Sequence, residues 1–310
     1  MTLPIARPLV SVGVPVFNAQ RHLTAALDAL MTQTYDNLEI IISDNNSSDD
    51  TAELCRHYAE LDSRIKYIRQ DENIGILANF QFVLNEADGK YFMWFAGDDE
   101  CESSYIEELV GFMEQNVEYV TAGTDVKVVD DAGKLLRIEE LSSVRKCRCH
   151  SEWPSVQKEF FRFYIDNRYL LIYGIHRTTY IKKCSLNFQG RLKYLTSLEI
   201  PFLAQMSSFG KMASICRTLK IYRSHERSSH QMEVEKSNSL FYISRYINVW
   251  SCLLRIVAAF PFSSTERLRI LLYLLFSFPL YLARGVKQYA VRIVRAVLRP
   301  SAELPENEKT

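Results

Sequence analysis

Three carboxylates, Asp98-Asp99-Glu100, follow directly on the apolar run Tyr91-Phe92-Met93-Trp94-Phe95-Ala96-Gly97. Adjacent acids repel one another and cost free energy to desolvate, so a ligand that brings positive charge is the natural reason to crowd them. Neighbours on an extended strand point in opposite directions, so Asp98 and Asp99 are expected to serve different atoms. One carboxylate suits a hydroxyl donor and the other a hard divalent cation, Mg2+ or Mn2+, which takes oxygen ligands from acids, phosphates and water. The residue types alone leave open which aspartate takes which task, and Glu100 is assigned to solvent or to the helix that follows.

Three more polar clusters have the same setting. Pro15-Val16-Phe17-Asn18, Asp44-Asn45-Asn46-Ser47-Ser48-Asp49-Asp50-Thr51 and Asn73-Ile74-Gly75 each come just after an apolar, β-rich run. Each also has an ordinary reading: Asp50-x-x-Glu53 as a capping box, Asn18 as a turn or cap, Gly75 as a turn needing positive φ. Those readings leave unexplained why all four clusters share one position relative to their strands.

Strands are expected at 9–16, 38–43, 65–69, 91–96 and 119–129, with amphipathic helices near 21–33, 50–61, 76–87 and 103–115. Strands apolar throughout and separated by helices read as a parallel sheet covered on both faces, a doubly wound α/β domain. Such sheets bind ligands at the carboxyl ends of their strands, where the four clusters fall. Farther on, Asp130-Asp131-Ala132-Gly133 reads as a hairpin turn, 158–167 as helical, 169–176 as extended, 196–208 as a helix with Pro201 in its first turn, and 211–222 as strand. These are expected to complete one domain over residues 1–240.

The chain carries 37 basic and 37 acidic residues, and the zero sum hides an asymmetry. Residues 241–300 hold nine Lys or Arg against Glu266 alone, a net charge of +8; the last ten carry −2, leaving −6 for the first 240. Residues 270–283 (ILLYLLFSFPLYLA) contain no charge but are too short to span a bilayer and include Pro279; 284–299 forms a basic amphipathic pattern. The expectation for 241–310 is a helical region attached peripherally to an anionic membrane surface. Seven scattered cysteines and an N-terminus without a signal-peptide core suggest a reduced, cytoplasmic setting, and Cys147-x-Cys149 is too tight for usual zinc spacing.

The motifs together resemble family 2 glycosyltransferases of the GT-A fold: PVFN at 15–18, DNNSSDDT at 44–51, NIG at 73–75 and GDD at 97–99 match in order and spacing. The resemblance covers about residues 8–225 and implies a Rossmann-like, mostly parallel sheet flanked by helices and an inverting transfer from a nucleoside-diphosphate sugar. It places Pro15, Phe17, Asn18, Asp44, Asn46, Asn73 and Gly75 around the nucleotide, Asp98 near ribose or diphosphate, and Asp99 on the metal. Phe17 stands where tyrosine is common, which keeps stacking and loses a hydroxyl. Glu199 stands where the family usually has an aspartate base, and Arg223-Ser224-His225 resembles the loop that closes over the diphosphate.

No Gln-x-x-Arg-Trp occurs, so one sugar per encounter is expected. With the basic tail, the expected acceptor is a lipid-linked saccharide at the cytoplasmic face of the plasma membrane, in surface-polysaccharide or O-antigen assembly, with no nucleic-acid partner. A sugar nucleotidyltransferase is the first alternative, although the loop PVFNAQRH lacks the glycines of a triphosphate cradle. The second is an inactive nucleotide-sugar-binding partner at the membrane.

Overall fold

The computed structural model describes residues 7–141, 150–152, 168–186, 199–224 and 241–275 except 269 and 273. Four parallel strands form its first half: β1 (Val10–Val16), β2 (Leu38–Asp44), β3 (Ile65–Arg69) and β4 (Tyr91–Trp94), in the order β3-β2-β1-β4. Helices α1 (Leu23–Met31), α2 (Thr51–Leu61) and α3 (Ile76–Asn85) connect them. After β5 (Glu100–Cys101) and α4 (Tyr105–Gln115) comes the long strand β6 (Tyr119–Val129), folded back at Asp130–Lys134 into β7 (Leu135–Glu139). A short β8 (His150–Glu152), β9 (Ile175–Arg177) and β10 (Lys211–Arg223) complete the sheet. Its main path is β3-β2-β1-β4-β9-β6-β10-β5, with β10 parallel to β6 and β9 antiparallel to both neighbours.

Alternation on the strands divides the core. Val10, Val12, Val14, Ile40, Ile42, Tyr91, Met93 and Phe95 face α1, α2 and α4; Ile41, Phe92 and Trp94 face α3 and α6 (Glu199–Met206). Both sets are buried, so the strands are apolar throughout. Trp94 is the hub of the second face, with ring centroids 5.1 to 6.2 Å from Phe80, Phe92, Phe202 and His176.

The stretch 169–176, expected to be extended, is instead a 3-10 helix at Arg168–Tyr173 that feeds β9. A Cβ on Gly174 would lie 2.3 Å from the Ala122 carbonyl oxygen, so the chain turns here against β6 where no side chain fits. His176 fastens the turn: its Nε2 lies 3.0 Å from the Ile172 carbonyl and its Nδ1 2.9 Å from Thr121 Oγ1. A carbonyl can only accept, so Nε2 carries the proton and Nδ1 accepts from the threonine hydroxyl.

Burial lowers the His176 pKa to about 4. Because the folded pKa lies below the unfolded one, the unfolded state binds the proton first, and stability is lost as pH falls from the unfolded value toward the folded one. Urea unfolding should show a loss of about 3 kcal/mol across the whole window from near pH 6.5 to near 4. That pH dependence should flatten in His176→Gln, and an unchanged slope would mean that other groups carry it.

The remaining described helices are α5 (Thr178–Ile181), α6, α7 (Phe241–Ala259) and α8, whose described residues lie between 264 and 275. The start of the expected tail packs on the sheet domain: Val249, Leu253, Ile256, Val257, Phe262, Ile270 and Leu274 enclose Ile200 and Ala204 of α6. Among the described residues no helix is long and apolar enough to cross a membrane. The helix expected at 158–167, the basic helix expected at 284–299, Cys147, Cys149 and His225 lie outside the described residues.

Candidate active site

The carboxyl ends of β1, β2 and β3 are knitted into one platform. Asp44, last residue of β2, is fully buried. Its Oδ1 accepts the Ser47 N–H at 2.9 Å, its Oδ2 accepts the Tyr67 hydroxyl at 3.1 Å, and Arg69 Nε lies 3.7 Å from Oδ2. Asn45 Nδ2 donates to Asn73 Oδ1 at 2.9 Å and its Oδ1 accepts the Ile74 N–H at 2.8 Å. Asn73 Oδ1 also accepts the N–H of Gly75, whose φ of 85° opens α3 and would strain a residue with a Cβ.

Asn18 and Asn46 adopt φ of 49° and 61°, left-handed geometry that asparagine tolerates better than most residues. The Asn18 N–H donates to Ser47 Oγ and its Oδ1 accepts the Ser48 N–H, both at 2.9 Å. Asn46 bonds Asp71 O and the Arg69 guanidinium at 3.2 Å. No capping box forms between Asp50 and Glu53; Asp49 Oδ1 instead accepts the Thr51 N–H. Pro15 is half-buried in β1 and Phe17 projects from the rim 49% exposed, an open aromatic face beside the exposed Asn18.

Asn79, which the sequence reading missed, sits beneath this platform. It is 3% exposed, donates from Nδ2 to the carbonyls of Ser43 at 3.0 Å and Val16 at 3.4 Å, and accepts from Ser43 Oγ at 2.5 Å. A buried amide on an apolar helix had no local signal of this role.

Beyond β4, which ends at Trp94, the two aspartates separate at a turn over Gly97 and Asp98 rather than by strand alternation, and their surroundings are unexpected. Asp98 is half-buried at the rim. Asp99 is 1% exposed, its Oδ1 accepting the Arg223 N–H and its Oδ2 3.2 Å from the Nζ of Lys220, itself 3% exposed. That ammonium also lies 3.7 Å from the Phe95 ring centroid, and neither Nζ nor Oδ2 makes a further hydrogen bond among the described groups. Burial holds the Asp99 carboxyl above the usual carboxylate range, with Lys220 opposing and Asp98 adding to the rise. The Asp99 carboxylate, expected to face a metal, is thus paired with a buried ammonium.

Glu100 is not a solvent-facing bystander: it pairs with the Arg223 guanidinium. Arg223 also reaches the carbonyls of Asp98, Asp130 and Asp131 at 3.2 to 3.3 Å, so it braces the acid loop against the β6–β7 turn. That turn is held over α1 by Asp131, which meets Arg21 at 2.6 Å and His22 at 3.2 Å.

Glu199 is half-buried in the first turn of α6, a position that a helix dipole favours for an acid. Its charge reaches Tyr173: burial drives that phenol well above its ordinary pKa, and the charges of Glu199, Tyr222, Asp99 and Asp98 push the same way. Tyr173 thus lies among the candidate base and both aspartates, with its ring centroid 5.9 Å from Lys220 Nζ. Arg177, from the same segment, is structural and donates to the carbonyls of Tyr119 and Met113 at 2.7 and 2.8 Å.

A divalent cation is implied by the fold family, and Asp98 suits it. It is a hard oxygen donor at the rim, and Mg2+ or Mn2+ in such sites is held by one or two carboxylates together with phosphate oxygens and water. No group of three or more His, Cys, Asp or Glu gathers among the described residues.

The glycosyl transferase family 2 model matches residues 11–180. An uncharacterized glycosyltransferase of Haemophilus influenzae is 25% identical over 252 residues, which cover 77% of this chain and 75% of that protein. The GalNAc(5)-diNAcBac-PP-undecaprenol beta-1,3-glucosyltransferase of Campylobacter jejuni is 38% identical over 104 residues, 33% of this chain and 34% of that one. Among solved structures, S. aureus TarS 1-349 in complex with UDP-GlcNAc superimposes with a TM-score of 0.63 at 13% identity, covering 87% of this chain and 72% of that chain, a likeness of fold. With the family model spanning more than half the sequence and every strand-end motif on one rim, the chain belongs to glycosyl transferase family 2.

Proposed function

We propose that this glycosyltransferase is inverting and non-processive, moving one sugar from a nucleoside-diphosphate donor to a hydroxyl of a lipid-linked saccharide in surface-polysaccharide or O-antigen assembly. The observation that carries the reading is the gathering of Asp98, Asp99, Tyr173 and Glu199 beside the platform of Asn18, Asp44 and Asn73. The Campylobacter relative, whose name specifies a polyprenol-linked acceptor, supports the acceptor class. The cytoplasmic face of the plasma membrane is the setting that fits such an acceptor and the basic tail.

Phe17 stacks on the base, and Asp44, buried rather than open to the base as expected, acts from beneath by holding Ser47, Tyr67 and Arg69 in the loop that meets it. Asn46, Asn73 and Gly75 shape the base pocket, and Pro15 and Asn18 the approach to the ribose. Asp98 faces ribose and diphosphate and is the acid that would hold Mg2+ or Mn2+, while Asp99 is its buried brace. When bound, that cation would offset the diphosphate's negative charge.

The acceptor hydroxyl gives its proton to the Glu199 carboxylate as its oxygen bonds to the anomeric carbon. The bond from that carbon to the diphosphate oxygen breaks with its electron pair, and the configuration inverts. Arg223 contributes by fixing the backbone of Asp98, and His225 is placed by the family resemblance beside the diphosphate.

The test is a panel of nucleotide-sugars with Mn2+, reading nucleoside diphosphate release. Release of pyrophosphate instead would overturn the reading. Asp98→Ala should lower kcat/KM by about 100-fold or more, since electrostatic groups at a developing charge carry about that much. Asp98→Ala activity near the parent level would remove Asp98 from the site.

A further inference from the structure

The inner face of the C-terminal helical hairpin is accounted for, and its outer face is not. Ile270 and Leu274 of α8 are buried against α7 and α6, while Leu268, Leu271, Leu272 and Leu275 are 59%, 41%, 46% and 62% exposed. At the α-helical 3.6 residues per turn these four lie within an arc of roughly 100°, and no described residue of that arc is charged. Scattered exposed leucines are ordinary, but four adjacent on one helix face mark a contact surface.

The hairpin is firmly built, so this is not the face of a fraying end. Ser263 and Glu266 form a reciprocal capping box at the start of α8, with the Ser263 N–H on Glu266 Oε2 at 2.8 Å and the Glu266 N–H on Ser263 Oγ at 3.2 Å. Arg267 caps the end of α7 through the carbonyls of Ala258, Phe260 and Phe262. The Trp250 indole donates to the Leu274 carbonyl at 3.2 Å.

Those contacts also sharpen the charge balance. In sequence, residues 241–300 carry nine Lys or Arg against one acid, Glu266, which the cap engages. Apolar face and one-sided positive charge together suit an anionic lipid surface, where leucines enter the boundary below the headgroups and arginines meet the phosphates.

We propose that Leu268, Leu271, Leu272 and Leu275 form the face by which the protein lies on an anionic lipid bilayer, with α8 in the plane of the surface. This rests on the reading above in that it explains how a lipid-linked acceptor is met. The same hairpin grips α6 through Ile200, the residue after Glu199, so docking sets the height of the candidate base above the lipid. The acceptor's sugar end then reaches Glu199 without leaving the bilayer.

Full-length protein is sedimented with vesicles of phosphatidylcholine alone or mixed with phosphatidylglycerol. The parent should pellet with the anionic vesicles and far less with the neutral ones. The variant Leu268→Ser/Leu271→Ser/Leu272→Ser/Leu275→Ser should lose at least about tenfold in partition. It should keep the parent's oligomeric mass and the parent's nucleoside diphosphate release in the donor panel.

Failure of the parent to pellet, or a variant that pellets equally well, overturns the proposal. So does a variant of half the parent's mass, which would give the stripe to a second copy of this chain. Partition is read without any turnover, so a wrong donor or acceptor class leaves this result standing, and a membrane-indifferent protein that releases nucleoside diphosphate leaves the transferase reading standing.

Discussion

Lys220→Met should destabilise the protein by about 3 to 5 kcal/mol, the usual cost of removing one partner from a buried ion pair. The cost comes from what is left behind rather than from the contact itself. Asp99 is 1% exposed, has no further hydrogen bond on Oδ2 among the described groups, and already sits above the ordinary carboxylate range with the ammonium present. Methionine comes close to the lysine stem in shape and keeps an apolar side chain beside Phe95, while the cation–π contact of the ammonium with that ring is lost with the charge.

The decisive measurement is a double-mutant cycle by urea denaturation. Asp99→Asn alone strands the ammonium, whereas Asp99→Asn with Lys220→Met buries no net charge and should cost less than the two single changes summed. The coupling should be about 1 to 3 kcal/mol, in the range of residues in direct contact. Additive losses would mean that the 3.2 Å approach carries no energy and that Asp99 is held by its neighbours alone.

Lys220 also explains where the sequence reading stopped. That four polar clusters would share a rim follows from apolar strands in a parallel sheet, whereas Asp98 and Asp99 diverge at a turn past the end of β4 that the expected alternation did not include. Which aspartate turns inward is decided by a lysine on β10, more than a hundred residues later. In LKIYR that lysine reads as an ordinary solvent-facing strand residue. Long-range pairing of this kind has no local period.

The same limit applies to Asn79 and to the stretch RYLLIY, whose β-prone residues suggest a strand until Gly174 is seen pressed on Ala122. Local composition could not show that the tail's first helices lean on α6, because Val249, Leu253 and Ile256 fit a packed helix as well as an interfacial one. It did show the charge asymmetry, and the structure adds which leucines stay outside.

Glu199→Gln should lower transfer about 100- to 10,000-fold, the span that a positioned general base contributes, while costing about 1 kcal/mol of stability, the size of the helix-dipole interaction it gives up. Glutamine keeps the length and the helix-forming tendency and loses the charge and the ability to take a proton. Donor affinity, measured by calorimetry with the nucleoside diphosphate, should change little because the base platform lies on other elements. Glu199→Asp is the sharper comparison. Glutamate extends one methylene beyond the aspartate usual in this family, so shortening it withdraws the carboxylate from an acceptor positioned for the longer reach.

Near-attack geometry is sensitive to displacements of about 1 Å, and the shortened variant should therefore lose on the order of 100-fold in kcat with a smaller change in KM. Full activity in Glu199→Asp would place the proton acceptor at a tolerant distance; full activity in Glu199→Gln would remove Glu199 from the chemistry. Tyr173 would then be the neighbouring group to test, although burial and four surrounding ionisable groups keep its phenol protonated and make it a donor rather than a base.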